Sequence, residues 1–137
     1  SDVPVGAFLS GGVDSSAIVA AMIGSGNAPR RAYCIGFAGR GLVDEGFSDD
    51  LGYAREVAHQ LGVPLTALMV DPPTLSDMEA LVYTLDEPEA DPAPLYVGAI
   101  AEAAQADGVK VLLSGAGGDD IFTGYRRHRA AALRARI

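Results

Sequence analysis

The stretch Ser10, Gly11, Gly12, Val13, Asp14, Ser15, Ser16 lies between an apolar run at 3–9 and an apolar, helix-like run at 17–23. A strand, a tight polar turn and a helix start, in that order, leave few folds open to the chain. Two glycines let the backbone turn sharply without a Cβ clash, and the first amides of the following helix, which lack partners within it, point into the turn. The positive end of the helix dipole and the serine hydroxyls complete a cradle for phosphate or pyrophosphate. An aspartate in such a cradle repels phosphate unless a cation stands between them, so Asp14 predicts a bridging Mg²⁺. A Gly-Gly pair alone reads better as an ordinary turn with a serine cap. The complete run, with its strand and helix, favours a nucleotide site. Neither the Gly-x4-Gly-Lys-Ser/Thr loop nor the Gly-x-Gly-x2-Gly fingerprint follows the first strand.

The rest of the chain alternates in the same manner. A strand at 3–9 precedes a helix at 13–25, and 31–37 reads as a second strand with Tyr33, Cys34, Ile35 and Phe37 supplying β-type bulk. A glycine-rich, acidic loop over 36–50 has the length of a mobile element. In the next helix, 51–61, Leu51, Ala54, Ala58 and Leu61 recur at three- and four-residue steps before Gly62 and Pro64 stop it. A strand at 63–70 leads to a helix with Leu75, Met78, Val82 and Leu85 on one face and a capping box expected from Ser76 and Glu79. Three prolines between 86 and 94 argue against regular structure there. A helix at 95–106, closed by Gly108, and a strand at 109–113 follow. Strands separated by helices predict an α/β fold, an open parallel sheet with helices on both faces in the Rossmann-like manner.

Such sheets bind ligands at the carboxyl ends of their strands, near the point where strand order reverses. The fourth strand ends in a second glycine-rich turn, Ser114, Gly115, Ala116, Gly117, Gly118, Asp119, Asp120, on the edge where the first strand ends. Asp14 and Asp119 arriving from two strands can share one octahedral Mg²⁺ completed by phosphate and water. Aspartates at a helix start also serve as caps, and the two roles are compatible if Asp120 caps while Asp119 binds metal.

Composition narrows the partners. With 137 residues and 49% apolar content the chain is one domain or a piece of one, and its start, without methionine or leader, reads as an excised fragment. A net charge of −8 argues against nucleic acid, although Arg126, Arg127, Arg129, Arg134 and Arg136 crowd the end. That cluster reads as a solvated helix face, with Arg126 and Arg127 near enough to the second turn to approach a triphosphate. The longest apolar run, 17–23, is too short for a membrane span, and the single Cys34 permits no internal disulfide, in keeping with a reducing cytoplasm. His59 and His128 read as surface or packing residues.

The first turn resembles the pyrophosphate loop of the ATP pyrophosphatase superfamily, which splits ATP between its α and β phosphates. GMP, NAD, lysidine and asparagine synthetases and tRNA-thiolating enzymes share it. A narrower likeness rests on four segments in order: 3–9 leading into the first turn, Tyr33 to Phe37, the stretch Asp86, Glu87, Pro88 with Asp91 and Pro92, and Ser114 through Tyr125, including Ile121, Phe122 and Gly124. Together these resemble the synthetase domain of the asparagine synthetase family.

That resemblance implies ATP and Mg²⁺ as ligands. Ser10, Gly11, Gly12, Val13, Asp14, Ser15 and Ser16 would hold the pyrophosphate, Asp14 and Asp119 the metal, and Leu9, Ile35, Ser114 and Gly115 the adenosine. It implies adenylation of the aspartate β-carboxylate, with Asp14 and Asp119 assisting through the metal, and capture by ammonia from glutamine to give asparagine and AMP. A glutaminase domain would precede this segment in the full-length chain, and a homodimer of that chain stays open. Ala116 stands where members commonly carry Glu or Asp in the chemical step, Asp120 replaces a usual Glu, and Thr123 a usual Gly. A phosphate-neutralising lysine would lie beyond Ile137, so the fragment alone is expected to bind nucleotide without making asparagine. The alternatives are a relative that closes a β-lactam or macrocyclic peptide amide, and an impaired nucleotide-binding homologue.

Overall fold

The computed structural model describes residues 1–37, 50–122, 128 and 133–134. In chain order the elements are β1 (Val5–Phe8), α1 (Val13–Gly24), β2 (Ala32–Phe37), α2 (Leu51–Leu61), β3 (Leu65–Val70), α3 (Leu75–Leu85), α4 (Ala93–Ala106), β4 (Val111–Leu113) and α5 (Gly118–Phe122). The strands form one sheet in the order β3-β2-β1-β4, with every neighbouring pair parallel. Strand order therefore reverses between β1 and β4, where Val5, Gly6 and Ala7 pair with Val111, Leu112 and Leu113. The expected α/β sheet is the observed one.

Period-two alternation divides β1, β2 and β3 between two cores, while β4 gives Leu112 to one of them and leaves Val111 and Leu113 exposed. Ala7 and Leu9 of the first strand and its exit join Ala32 and Cys34, and are covered by Val19 and Met22 of α1 and Leu51, Ala54 and Ala58 of α2. Phe8, Tyr33, Ile35 and Leu112 point the other way, onto Ile100 and Ala104 of α4. Leu9, Val19 and Tyr33 are fully buried. Each such large apolar side chain contributes about 1.5–3 kcal/mol of burial free energy. Helices on both faces thus leave the carboxyl edge of the sheet to the turns.

Several boundaries differ from expectation, each for a backbone reason. The Val63 amide donates to the Ala58 carbonyl and the Val109 amide to the Ala104 carbonyl, so both residues complete helix ends and β3 and β4 start two residues late. α4 begins at Ala93 within the proline-rich stretch, because a helix tolerates proline in its first turn, where the missing N–H has no partner to lose. The capping box of α3 is Thr74 with Asp77, in place of Ser76 with Glu79. Here Thr74 Oγ1 accepts from the Asp77 amide, and the Asp77 carboxylate accepts from the Thr74 amide and hydroxyl. Those bonds hold the Asp77 carboxyl below its usual range. The expected apolar stripe of α3 is also offset: Leu81 is buried while Leu75 is 78% exposed, because α3 packs chiefly on α4. No described helix is long and apolar enough to cross a membrane. The loop expectation for 36–50 falls largely on residues outside the described ones, as do Thr123, Gly124, Tyr125, Arg126, Arg127, Arg129 and Arg136.

Candidate functional site

The first turn is braced by its own serines. The Ser10 amide donates to Ser15 Oγ at 3.2 Å, and the two hydroxyl oxygens lie 3.1 Å apart. Ser15 Oγ donates to the Gly12 carbonyl at 3.2 Å, and the Gly12 amide donates to Ser10 Oγ at 3.3 Å. Because the Ser15 hydroxyl is buried and committed within the turn, its part in the cradle is to fix shape. Ser16 Oγ also donates to the Gly12 carbonyl, at 2.7 Å. Gly12 sits at the N-cap of α1, where among the described residues no side chain makes a capping bond. The dipole and first-turn amides of a twelve-residue helix are therefore presented to whatever occupies the turn.

Three glycine contacts dictate where the turn lies. Gly11 has φ +81°, and a Cβ there would fall 2.5 Å from backbone and Cβ atoms of Tyr53, so the turn presses on the first turn of α2. From the other side, a Cβ on Gly115 would fall 2.7 Å from the Ser15 nitrogen and 2.8 Å from the Asp14 carbonyl carbon. A Cβ on Gly118 would fall 2.5 Å from Asp14 Cγ. The second turn therefore rests directly on the first, with the Asp14 carboxylate against the Gly118 backbone.

The two turns wall a cavity of about 470 Å³. Ser10, Gly12, Val13, Asp14 and Ser15 line it from one side, and Ser114, Gly115, Ala116 and Asp119 from the other. Asp14 and Asp119, far apart in sequence, share this space as their topology predicts. Among the described residues no cluster of three or more His, Cys, Asp or Glu forms, so protein ligands alone do not cage a cation. Two carboxylates fit Mg²⁺ that draws its other ligands from phosphate and water. Ala116 lines the wall beside Asp119, its amide donating to Ser114 Oγ at 3.1 Å.

A second cavity, about 220 Å³, adjoins the first through Phe8 and Ser10, which line both. Leu9, Tyr33, Ile35, Phe37 and Ile100 make it largely apolar, and among the described residues Asp50 contributes its one carboxylate. Leu9 and Ile35 therefore meet in one pocket, whereas Ser114 and Gly115 line the larger cavity. Two grooves of about 590 and 610 Å³ flank β4, but among the described residues the first is lined without a carboxylate, and the second holds Glu102 and Lys110, with Lys110 at the end of β4 opposite the second turn. Chemistry, not size, singles out the carboxyl edge.

Sequence reasoning missed Asp50 and the contact of Gly11 with α2. The signal was present, since a helix that follows β2 in a parallel sheet starts at the same carboxyl edge as the turns. His59 is exposed on α2, as expected, and Cys34 is buried in the core.

Comparison with known proteins agrees with this arrangement. The asparagine synthase family model matches residues 1–137. Asparagine synthetase [glutamine-hydrolyzing] 1 of Bacillus subtilis is 36% identical over 130 residues, covering 94% of this chain and 19% of the relative. A Mycobacterium tuberculosis relative is 41% identical over the same coverage. Amidase chyE of Penicillium rubens is 35% identical over 146 residues, covering 97% of this chain and 21% of its own. The chain spans about a fifth of the length of these relatives. With two interlocked glycine turns at the switch point of a parallel sheet, and a family match along its whole length, the chain belongs to the asparagine synthase family.

Proposed function

We propose that this chain is the nucleotide-binding part of an ATP-dependent amide-forming ligase that adenylates the side-chain carboxylate of aspartate. A carboxylate oxygen attacks the α-phosphorus of ATP, the bond to the bridging oxygen breaks, and pyrophosphate leaves with the electron pair. Ammonia, derived from glutamine, then adds to the acyl carbon, sheds its excess protons, and displaces AMP to give asparagine. The observation that carries this reading is the cavity shared by Asp14 and Asp119 across turns that touch through Gly115 and Gly118.

The residues suit the work. Charge that builds on departing pyrophosphate meets the N-terminal amides of α1, a preorganised arrangement that needs no reorientation at the moment of reaction. Ser10 and Ser15 hold the turn in shape, and Leu9 and Ile35 offer a purine an apolar slot. Asp14 and Asp119 would hold Mg²⁺, which when bound supplies positive charge against the phosphates. No side-chain nucleophile is required. The glutaminase activity belongs, on this reading, to the rest of a longer chain.

Two observations favour other readings. With alanine in the wall beside Asp119, that position neither accepts a proton nor orients ammonia, which suits an impaired homologue that binds nucleotide without turning it over. The amidase name of the Penicillium relative is compatible with a relative of the same adenylating chemistry that closes a β-lactam or macrocyclic amide. Pyrophosphate release by the intact protein discriminates. Release from ATP that depends on aspartate supports asparagine formation; release that depends on another carboxylate supports the cyclising relative. ATP binding with no release for any acceptor overturns both in favour of the nucleotide-binding homologue.

A further inference from the structure

Asp50 is the carboxylate in the smaller cavity, and neither the metal reading nor the pyrophosphate reading uses it. It stands at the start of α2, where its backbone is already helical, at φ −68° and ψ −10°. Three residues further on, the α2 backbone at Tyr53 and Ala54 presses against Gly11. Asp50 is thus tied to the flank of the first turn. It lines the apolar cavity together with Ser10 and is absent from the lining of the cavity that holds Asp14 and Asp119.

A nucleotide whose base lies against Leu9, Ile35 and Ile100 and whose phosphates lie on the first turn must pass its sugar by Phe8 and Ser10, the two residues common to both cavities. That places a carboxylate at the level of the sugar and off the level of the phosphates, which it would repel. An ionised carboxylate only accepts hydrogen bonds, and its two oxygens match two adjacent hydroxyl donors. Ribose offers that pair. A 2′-deoxyribose offers one hydroxyl. We infer that Asp50 reads the ribose diol and makes the site selective for ribonucleoside over 2′-deoxyribonucleoside triphosphates. The inference rests on the nucleotide reading given above.

Equilibrium binding of ATP and 2′-deoxyATP, with Mg²⁺ present, tests it on the intact protein and on Asp50→Ala and Asp50→Asn. A charge-assisted hydrogen bond predicts that the wild type prefers ATP by about tenfold. In Asp50→Ala the affinity for ATP should fall to that for 2′-deoxyATP, erasing the ratio, while 2′-deoxyATP loses less. Asp50→Asn preserves size and settles the matter if the alanine variant does not fold; its ratio should fall toward one. A ratio unchanged in the variants, or affinities that drop equally for both nucleotides, would overturn the role of Asp50 while leaving the nucleotide site intact. A wild type that binds neither nucleotide would overturn the site itself, and this role with it.

Discussion

The two ends of the sheet are held by opposite means. At the carboxyl end the contacts are made by glycine backbone that leaves no room for a Cβ: Gly11 against Tyr53, Gly115 against Ser15, Gly118 against the Asp14 carboxylate. At the amino end they are between side chains. Tyr33, fully buried, donates its hydroxyl to Asp107 at 2.9 Å; Arg31 Nε lies 3.2 Å from the same carboxylate oxygen, and Arg31 also donates to Thr66 at 3.1 Å. Arg31 and Asp107 are each more than a third exposed, so their ion pair contributes little by itself, and the buried phenol gives the cluster its weight. One end should fail when atoms are added, the other when they are removed. Ligand chemistry and fold stability are thereby set at opposite ends of the strands, with the Tyr33 ring, which also lines the apolar cavity, between them.

The largest expected effect is at the carboxyl end. Asp14→Asn keeps the shape of the turn and removes the charge, so Mg²⁺-dependent ATP affinity should fall by at least about a hundredfold, or about 3 kcal/mol. Stability should stay within about 0.5 kcal/mol. Titration calorimetry with and without Mg²⁺ reads both nucleotide terms, and unchanged affinity would remove the metal from this edge.

Next comes an alkaline test of the amino end. Burial, and then the hydrogen bond and charge of Asp107, push the Tyr33 phenol up to about 12 from 10.0. Below pH 10 the folded and unfolded chains both hold that proton and the stabilisation is complete. Between about pH 10 and 12 the unfolded chain releases it while the folded chain keeps it, so stability falls by up to about 2.7 kcal/mol. Native-state hydrogen exchange at β2 amides, compared between wild type and Tyr33→Phe across that range, isolates the contribution. Parallel pH profiles would show that burial does not restrain this phenol.

Gly118→Ala should follow in size. Its Cβ meets Asp14 Cγ at 2.5 Å, so either the carboxylate or the second turn must shift, and ATP should bind roughly 30-fold more weakly, an overpacking cost of about 2 kcal/mol. Gly12→Ala is the control, because its Cβ would meet only Ser10 Oγ, at an ordinary 3.4 Å. If the two variants bind ATP alike, steric contact between the turns is not what aligns them.

The carboxyl end was the more legible of the two. Strand-turn-helix order, repeated at Ser10 and Ser114, places both turns on one edge without reference to any contact, because parallel pairing alone dictates it. The sheet and its two cores follow from the same alternation. What sequence did not disclose was contact between side chains distant in the chain. Tyr33 reads as apolar strand bulk, and nothing near it announces Asp107, which lies at the end of a helix 74 residues away. The capping box moved two positions because Thr74 and Asp77 satisfy the same pattern as Ser76 and Glu79, and local spacing does not choose between them. α3 exposes Leu75 because periodicity gives a face but not the neighbour that covers it.

Tyr33→Phe, at neutral pH, is the smallest of these effects and the sharpest probe of the separation. The ring continues to fill the space between Ile100, Ala104 and Val109, so no cavity opens. Asp107 keeps Arg31 and remains partly open to water, so no buried acceptor is orphaned. Only one hydrogen bond is lost, which sets the cost at about 1 kcal/mol in the exchange protection of β2. Tyr33 itself lines the apolar pocket next to Ile35 and Phe37 on the same strand, so a disturbance at its hydroxyl has a direct route from one end to the other. Equal ATP affinity in the variant means that the strand absorbs the change locally and the ends are independent. A tenfold loss would mean that the amino-end cluster holds the nucleotide pocket in register, and the division drawn between the two ends would fail.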